Sequence, residues 1–216
     1  MIEAIRDAAP AIVFLAYPNN PTANLWDARA IRRIIAAAPG LVVMDEAYQP
    51  FSSRTWLDEM RDHPRRNRNV LLLRTLSKFG LAGVRIGYLL GPKALIQQID
   101  KLRPPYNISV LNAVCGLFAL ENRQVFERQA LAIRAERARL VLGLDSLGGV
   151  RVYPSEANMI LVRVPDADKM FANLKKRAVL VKNVSVMHPL LRNCLRLTIG
   201  KPAENDRLMH AMKESM

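Results

Sequence analysis

Short apolar runs alternate with helical patterns through the first half of the chain, and this alternation is the feature that most restricts its fold. The apolar run Ala11–Tyr17, bounded by prolines, predicts a strand that is buried on both faces. Leu25–Ala38 has apolar residues at helical spacing and ends at Pro39-Gly40, so we expect a helix there. Repeated strand and helix units favour right-handed crossovers, and therefore an α/β fold with a mostly parallel sheet and helices on both faces.

The rest of the chain continues this pattern and then changes it. The other elements predicted for the first half are a short helix and three strands, at Thr55–Asp62, Leu41–Met44, Val70–Leu73 and Arg85–Leu90. A long helix with an exposed, charged middle is expected from Val110 to about Leu147. The elements predicted beyond it belong to a smaller α+β unit and lie at Val150–Tyr153, Met159–Val164, Asp168–Arg177, Val179–Lys182, Cys194–Thr198 and Pro202–Met212. We therefore expect two domains, residues 1–130 and 131–216.

Composition and charge exclude several classes of protein. Half of the 216 residues are hydrophobic, which is enough for a buried core and excludes a disordered or collagen-like chain. The formal net charge of +13 favours an anionic partner, but the basic residues are scattered and are not interleaved with aromatic ones. We therefore expect a solvated basic surface or a site for small phosphates, and no nucleic-acid partner.

The sequence also bears on compartment and on metals. No apolar run approaches the about 20 residues that a membrane-spanning helix needs, so no membrane partner is expected. The segment Met1–Pro10 lacks the pattern of a signal peptide. Cys115 and Cys194 make no disulfide framework, which favours a reducing cytoplasm. The three histidines lack ligand spacing, so we expect no metal site.

Polar clusters follow each of the first three predicted strands. They are Tyr17–Thr22, Asp45–Tyr48 and Arg74–Lys78, the last followed by two glycines and Arg85. Because ligands bind at the carboxyl ends of strands in an open α/β sheet, these side chains can converge on one crevice. Each cluster alone has a plainer interpretation, as a turn at Asn20-Pro21, a helix N-cap at Asp45 or a surface lysine at Lys78. Their occurrence together and in order favours a functional site.

These motifs carry a resemblance to a known family. Asn20-Pro21-Thr22, Asp45-Glu46-Ala47-Tyr48 and Thr75-Leu76-Ser77-Lys78, followed by Gly-Leu-Ala-Gly-Val-Arg-Ile-Gly-Tyr at 80–88, resemble the fold-type I pyridoxal-phosphate aminotransferases. The stretch from Val181 to Gly200 is most similar to their histidinol-phosphate branch. The resemblance covers essentially the whole chain. It implies a pyridoxal 5'-phosphate cofactor and amino transfer between L-histidinol phosphate and 2-oxoglutarate in histidine biosynthesis, by a cytoplasmic homodimer.

The resemblance also implies roles for residues of the first domain. Lys78 supplies the amine that forms a Schiff base with the cofactor aldehyde and that shuttles a proton. Asp45 faces the pyridine nitrogen and keeps it protonated, since an opposite charge stabilises the cation. Tyr48 and Asn20 donate hydrogen bonds to the phenolate oxygen of the ring. Hydroxyl and guanidinium groups hold the cofactor phosphate, namely those of Thr75, Ser77 and Arg85.

Three residues of the second domain are candidates for binding the substrate. Arg196 lies where related aminotransferases bind a carboxylate with a forked arginine, and in this branch the same arginine also meets a phosphate. Lys182 lies where the branch has a second cation, although a solvated lysine is an equally good interpretation. Asn158 lines the pocket or is only a turn residue. His188 is interpreted as a loop residue.

The chain departs from the family pattern at three places. Ala23 stands where the family usually has glycine, and the spacing from Lys78 to Arg85 is one residue shorter than in many members. The family has well over a hundred residues before this point, and Met1 resembles an internal methionine of such relatives. These residues supply the first strands, a phosphate-binding helix start, a stacked aromatic ring and a tyrosine from the dimer partner. We therefore expect this chain alone to be poorly soluble or inactive.

Two alternative functions are compatible with the sequence. Within the same cofactor class, another class I/II aminotransferase or a phospho-amino-acid decarboxylase would use the same lysine and aspartate, because the cofactor supplies the electron sink. A non-catalytic remnant of such an enzyme, or a basic regulator-like binding module, is an alternative of a different class. No helix-turn-helix segment supports the regulator.

Overall fold

The computed structural model describes residues 1–216 and divides the chain into two compact units. The first unit comprises Met1–Asn19 and Leu25–Glu127, and the second comprises Asn20–Asn24 and Arg128–Met216. Two segments differ from the predicted domains, which assigned both to the first: Asn20–Asn24 and Arg128–Ala130 belong to the second unit. None of the helices has both the length and the apolar content of a membrane-spanning segment.

The first unit is built on a four-stranded sheet. Its strands are β1 (Ile12–Ala16), β2 (Leu41–Asp45), β3 (Val70–Thr75) and β4 (Gly87–Leu90), in that spatial order. The pairs β1–β2 and β2–β3 are parallel, whereas β3–β4 is antiparallel. The link from β3 to β4, residues 76–86, contains no α-helix and is shorter than the about dozen residues that a parallel crossover needs. The expected α/β class with a mostly parallel sheet is confirmed.

Five helices of the first unit surround or follow this sheet. They are α1 (Ile2–Ala8), α2 (Ala28–Ala37), α3 (Trp56–Asp62), α4 (Lys93–Asp100) and α5 (Val110–Glu121). Helix α1 was not expected from the sequence. Helix α2 begins three residues later than Leu25, because the Asp27 carboxylate accepts a hydrogen bond from the Ala30 N–H at 2.9 Å and so caps the helix.

The hydrophobic core of the first unit lies on one face of the sheet. Alternate strand residues meet apolar residues of α1, α2 and α3 there, and the fully or nearly buried members are Ile5, Leu15, Ile31, Ile34, Val42, Met44, Trp56, Val70 and Leu72. On the other face, Ile12 is 47% exposed and Phe14 is 68% exposed. The expectation that the first strand is buried on both faces is therefore wrong. It is an edge strand, and only every second side chain points into the core.

The long helix expected from Val110 is two helices. Helix α5 ends at Glu121 and α6 (Arg123–Asp145) begins two residues later. Between them, the Asn122 side chain donates to the carbonyl of Phe118 at 2.8 Å. Asparagine side chains compete for backbone groups in this way, which favours a helix end over a continuous helix.

The second unit packs three helices on one face of an antiparallel sheet. Its strands have the spatial order β5 (Arg151–Val152), β6 (Met159–Arg163), β8 (Cys194–Thr198) and β7 (Lys182–Asn183). Helix α6 and the helices α7 (Ala167–Lys176) and α8 (Pro202–Lys213) cover the face of Ile160, Val162, Leu195 and Leu197. Strand β7 begins later than the predicted Val179, since the Val179 N–H instead closes α7 by donating to Leu174.

An ion pair between α2 and α3, Arg32 with Glu59, makes the stability of the first unit depend on pH. The hydrogen bond from Arg32 is the main reason that the pKa of the Glu59 carboxyl lies below its usual value. A lowered folded-state pKa stabilises the fold at pH values above the ordinary glutamate pKa of about 4.3, and this stabilisation is lost as the pH falls through the folded-state value. We expect Glu59→Gln to lower the free energy of unfolding at neutral pH by at most about 1 kcal/mol, because solvent reaches both side chains and screens the pair.

This difference should disappear in acid, where Glu59 is protonated in both states. Urea unfolding followed by tryptophan fluorescence would measure it, since both tryptophans, Trp26 and Trp56, lie in the first unit. A difference that is equal in acid and at neutral pH would contradict the assignment.

Candidate functional site

The carboxyl ends of β1, β2 and β3 are joined by backbone hydrogen bonds that continue the sheet. The Tyr17 N–H donates to the carbonyl of Asp45 at 2.7 Å, and the Glu46 N–H donates to the carbonyl of Leu73 at 2.8 Å. Asp45, the last residue of β2, keeps its carboxylate near the chain by accepting from the Ala47 N–H at 2.9 Å. The structure thus places this carboxylate at the strand-end position at which open α/β sheets bind ligands.

Lys78 lies in a short turn that directly follows β3. The Thr75 hydroxyl fixes this turn, because it accepts from the Ser77 N–H at 3.0 Å and donates to the carbonyl of Ile86 at 3.2 Å. Leu76, the next residue, is buried. The half-buried Lys78 carries its Nζ to 5.5 Å from the centre of the Tyr48 ring, within the range of a cation–π contact. An amine and a phenol from two different strand ends therefore meet.

Arg85 lies at the far end of the same connection. It has a positive φ of 54°, and its Nη1 is 3.5 Å from both the Ser77 hydroxyl and the carbonyl of Ala82. These contacts are at the limit of hydrogen-bonding distance, so the exposed guanidinium keeps donors for another partner. A guanidinium beside hydroxyl groups is a donor set that suits a phosphate.

Sequence reasoning assigned no role to Glu46 and Arg74, and the structure joins them in a buried ion pair. Arg74 donates to the Glu46 carboxylate from Nε at 3.0 Å and from Nη2 at 2.8 Å. Burial alone would lower the pKa of the Arg74 guanidinium, but the hydrogen bond and charge of Glu46 outweigh it and raise the pKa. The alternation of side chains along the strands could have indicated this pair, because it places Glu46 and Arg74 on the core face of neighbouring strands.

In the second unit, Arg196 and Lys182 lie opposite each other on two adjacent strands. They are register partners in the antiparallel pair β7–β8, so their side chains lie on the same face of the sheet, opposite the helices. Like charges placed directly opposite each other destabilise a sheet, so this pair indicates a role other than stabilising the strands. The Nε of Arg196 is buried and has no hydrogen-bond acceptor. The Nε–H of Arg196 is therefore a positively charged hydrogen-bond donor that could bind an anion.

The other predicted residues of the second unit lie close to this pair in the chain or in space. The Arg196 Nη1 donates to the Asn20 side-chain oxygen at 2.7 Å. Ala23, in the same segment as Asn20, is buried with a positive φ of 61°, a conformation that favours glycine. Asn158 directly precedes β6, and its carbonyl accepts from the Ile199 N–H at 3.0 Å. No group of three or more His, Cys, Asp or Glu side chains is placed to hold a metal ion.

The predicted residues therefore fall into two groups. The first unit carries six of them on the loops and strand ends after β2 and β3, namely Asp45, Tyr48, Thr75, Ser77, Lys78 and Arg85. The second unit carries Asn20, Asn158, Lys182 and Arg196. Asn20 was expected at the cofactor together with the first group, and the contact to Arg196 is the structural finding that sequence spacing did not indicate.

Comparison with known proteins places the chain in a family. The family described as aminotransferase class I and II matches residues 1–212. The histidinol-phosphate aminotransferase of Paracidovorax citrulli is 61% identical over 100% of this chain and 60% of its own length, and that of Methylibium petroleiphilum is 60% identical over 99% and 57%. This chain thus spans about 60% of the length of these curated relatives.

A solved structure agrees with this placement. Histidinol-phosphate aminotransferase from Sinorhizobium meliloti, in complex with pyridoxal-5'-phosphate, has a TM-score of 0.81 and 27% identity, covering 99% of this chain and 59% of that one. The fold, the strand-end residues and the family match over nearly the whole chain lead to one conclusion: this chain belongs to the class I and II aminotransferase family.

Proposed function

We propose that the protein is a pyridoxal-phosphate-dependent aminotransferase that transfers an amino group between L-histidinol phosphate and 2-oxoglutarate in histidine biosynthesis. The observation that carries the proposal is the turn after β3, where the amine of Lys78 lies beside the Tyr48 ring and three residues after Thr75, whose hydroxyl fixes the turn. The names of the relatives support the substrate, and the cofactor held by the Sinorhizobium meliloti structure supports pyridoxal phosphate.

The residues of the first unit fit this cofactor. When bound, pyridoxal phosphate withdraws electrons from the reacting substrate carbon through its pyridine ring. The negative charge of the Asp45 carboxylate would stabilise the positive charge of a protonated pyridine nitrogen. The Lys78 amine would hold the cofactor through its aldehyde carbon and would take up or return a proton as a general base and acid. Ser77 and Arg85 would supply donors for the phosphate group, and Thr75, whose hydroxyl donates to the Ile86 carbonyl, would hold the turn that presents them.

The second unit would bind the anionic end of the substrate. Arg196 offers a forked guanidinium that suits either a phosphate or a carboxylate, and Lys182 adds a second positive charge beside it. Such a pair serves both L-histidinol phosphate and a 2-oxo acid, because each carries an anion close to the reacting carbon: a phosphate on the neighbouring CH2 in the first and a carboxylate bonded to that carbon in the second. Asn20 orients the Arg196 guanidinium through the 2.7 Å hydrogen bond.

We also propose that the protein is a cytoplasmic homodimer. Helix α5 exposes apolar side chains on much of its surface, including Val110, Leu111, Leu117, Phe118 and Leu120. A helix that is apolar nearly all round normally lies in a protein interior or interface. A second copy is the occupant we propose for this surface. Sedimentation equilibrium would test it, and a chain that stays monomeric at high concentration would argue against it.

Covalent labelling tests the cofactor side of the proposal. The chain is incubated with pyridoxal phosphate and reduced with borohydride, and the modified peptide is identified by mass spectrometry. We expect the adduct on Lys78. Amino transfer by the whole protein is followed as glutamate formed from 2-oxoglutarate with L-histidinol phosphate, and with L-histidinol as the control that lacks the phosphate. Release of carbon dioxide from a phospho-amino acid without glutamate would favour the decarboxylase alternative.

Arg196→Gln tests the anion site. Loss of a charge-assisted hydrogen-bonded partner is worth about 1.5–3 kcal/mol, so we expect the Kd for L-histidinol phosphate to rise about tenfold or more. The matched control is Arg192→Gln, which removes an exposed arginine four residues away and should leave the Kd unchanged. Isothermal titration calorimetry measures both. Equal affinity in the parent and in Arg196→Gln would remove Arg196 from the site.

A further inference from the structure

The Glu46 carboxylate is the most completely enclosed charged group of the first unit. Its side chain is 0% exposed, and it lies one residue beyond the end of β2. Besides the two bonds from Arg74, it accepts from the Thr55 hydroxyl at 2.8 and 3.0 Å and from the backbone N–H of Trp56. Both carboxylate oxygens are therefore saturated, and no acceptor position is left for a ligand. This group has a role within the protein.

Strand alternation places each member of the pair next to a proposed cofactor residue. Successive side chains of a strand point to opposite faces, so Glu46 points into the core while Asp45 points to the other face. The same holds on β3, where Arg74 points into the core and Thr75 points away. The strands are parallel neighbours with Asp45 opposite Leu73. The ion pair thus spans the two strand ends directly beneath Asp45 and Thr75.

The geometry of this bond is restrictive. Two nitrogens of Arg74, Nε and Nη2, donate to the same carboxylate oxygen, Oε2 of Glu46, and these two charge-assisted bonds restrict the guanidinium more than a single hydrogen bond would. Arg74 also donates to the Thr55 hydroxyl at 2.7 Å, so the pair is tied to the start of α3 as well. A buried ion pair is weak evidence for stability, because desolvation offsets most of its attraction. Its clearest consequence here is a fixed spacing between β2 and β3 at their carboxyl ends.

We propose that Glu46 and Arg74 are positioning residues, which hold the Asp45 carboxylate and the Thr75–Lys78 turn in the relative position that cofactor binding requires. The inference rests on the proposed function, since it concerns the same site. It adds to that function a pair of residues that do not touch the cofactor and act through their neighbours on the strands.

The test compares Arg74→Lys with the parent chain. Lysine keeps the positive charge next to Glu46 but loses the fork, so the charge of the core is unchanged. The matched control is Glu59→Gln, which breaks the partly exposed ion pair between α2 and α3 and leaves the strand ends intact. Two quantities are measured: backbone hydrogen exchange of residues 74–79 without cofactor, and the Kd of pyridoxal phosphate by absorbance titration. Circular dichroism checks that each variant is folded.

We expect Arg74→Lys to remain folded, to exchange faster in residues 74–79 and to bind pyridoxal phosphate about tenfold more weakly, as for the loss of one charge-assisted hydrogen bond. Glu59→Gln should match the parent in Kd, and any faster exchange in it should extend over the whole first unit and not be confined to residues 74–79. Unchanged exchange and unchanged Kd in a folded Arg74→Lys chain would overturn the inference. If Arg74→Lys does not fold, Glu46→Gln is measured in its place, and failure of both to fold would also overturn it, since the pair would then serve stability alone.

Failure of the proposed function gives a different result. A parent chain that forms no reduced adduct on Lys78 would argue against the cofactor itself. The exchange of residues 74–79 would still report whether the ion pair holds the turn. Faster exchange in Arg74→Lys without any cofactor binding in the parent would overturn the link to the cofactor, and the proposal with it.

Discussion

Replacement of Lys78 by alanine is expected to abolish the borohydride-stable attachment of pyridoxal phosphate to the chain. Attachment needs an amine placed to attack the aldehyde carbon, and the turn after β3 holds Lys78 between the Thr75 cap and the Tyr48 ring. Arginine at the same position keeps the positive charge but is not nucleophilic, because it stays protonated. We therefore expect Lys78→Arg to lose the adduct as completely as Lys78→Ala.

The matched control for this experiment is Lys93→Ala. Lys93 is an exposed lysine of the same unit, at the first residue of α4. Its removal should leave the yield of adduct at the parental value. The measurement is the mass of the intact chain after reduction, followed by peptide mapping. An adduct of equal yield in Lys78→Ala, mapped to any other lysine, would contradict the assignment of Lys78.

Replacement of Asp45 by asparagine is expected to weaken cofactor binding by about one to two orders of magnitude, the loss of one charge-assisted hydrogen bond. Asparagine keeps the shape of the side chain and an oxygen that can accept from the Ala47 N–H, so the strand end should be unchanged. It loses the negative charge that opposes a protonated pyridine nitrogen. Covalent attachment to Lys78 should still occur at saturating cofactor.

A control variant separates the effect of the Asp45 charge on cofactor binding from a general effect on folding. Absorbance titration gives the Kd of pyridoxal phosphate for the parent, for Asp45→Asn and for the control Asp58→Asn, which removes an exposed carboxylate of α3. The control should bind as the parent does. A Kd in Asp45→Asn that equals the parental value would show that the carboxylate at the end of β2 does not face the ring nitrogen.

The elements of the fold could largely be predicted from local patterns. Cys194–Thr198 is a strand with the predicted bounds, because its alternate residues Leu195 and Leu197 form the apolar face that packs against the helices. The bounds were displaced where a capping side chain decided them, as at Asp27 before α2 and at Asn122 between α5 and α6. Those hydrogen bonds depend on the side-chain rotamer, which hydrophobic periodicity does not contain.

The candidate site was predictable in its residue types and less so in its contacts. The motifs after the strands placed an amine, a phenol and a carboxylate at one end of the sheet, and the approach of Lys78 to Tyr48 agrees with that expectation. The ion pair of Glu46 with Arg74 was missed, because a carboxylate in a recognised motif was interpreted only as part of that motif. The hydrogen bond of Arg196 to Asn20 joins residues 176 positions apart, which no local pattern can indicate.

The amino-acid sequence by itself determined the fold class and the order of the polar clusters along the chain. Strand periods, prolines and the polar residues after each strand are local properties, and they establish an α/β chain with an amine and a carboxylate after two of its strands. Only the tertiary structure decided which faces are covered, which charges are paired and which segment belongs to which unit. These features depend on contacts between residues far apart in the chain, and such contacts form only when the strands and helices pack together.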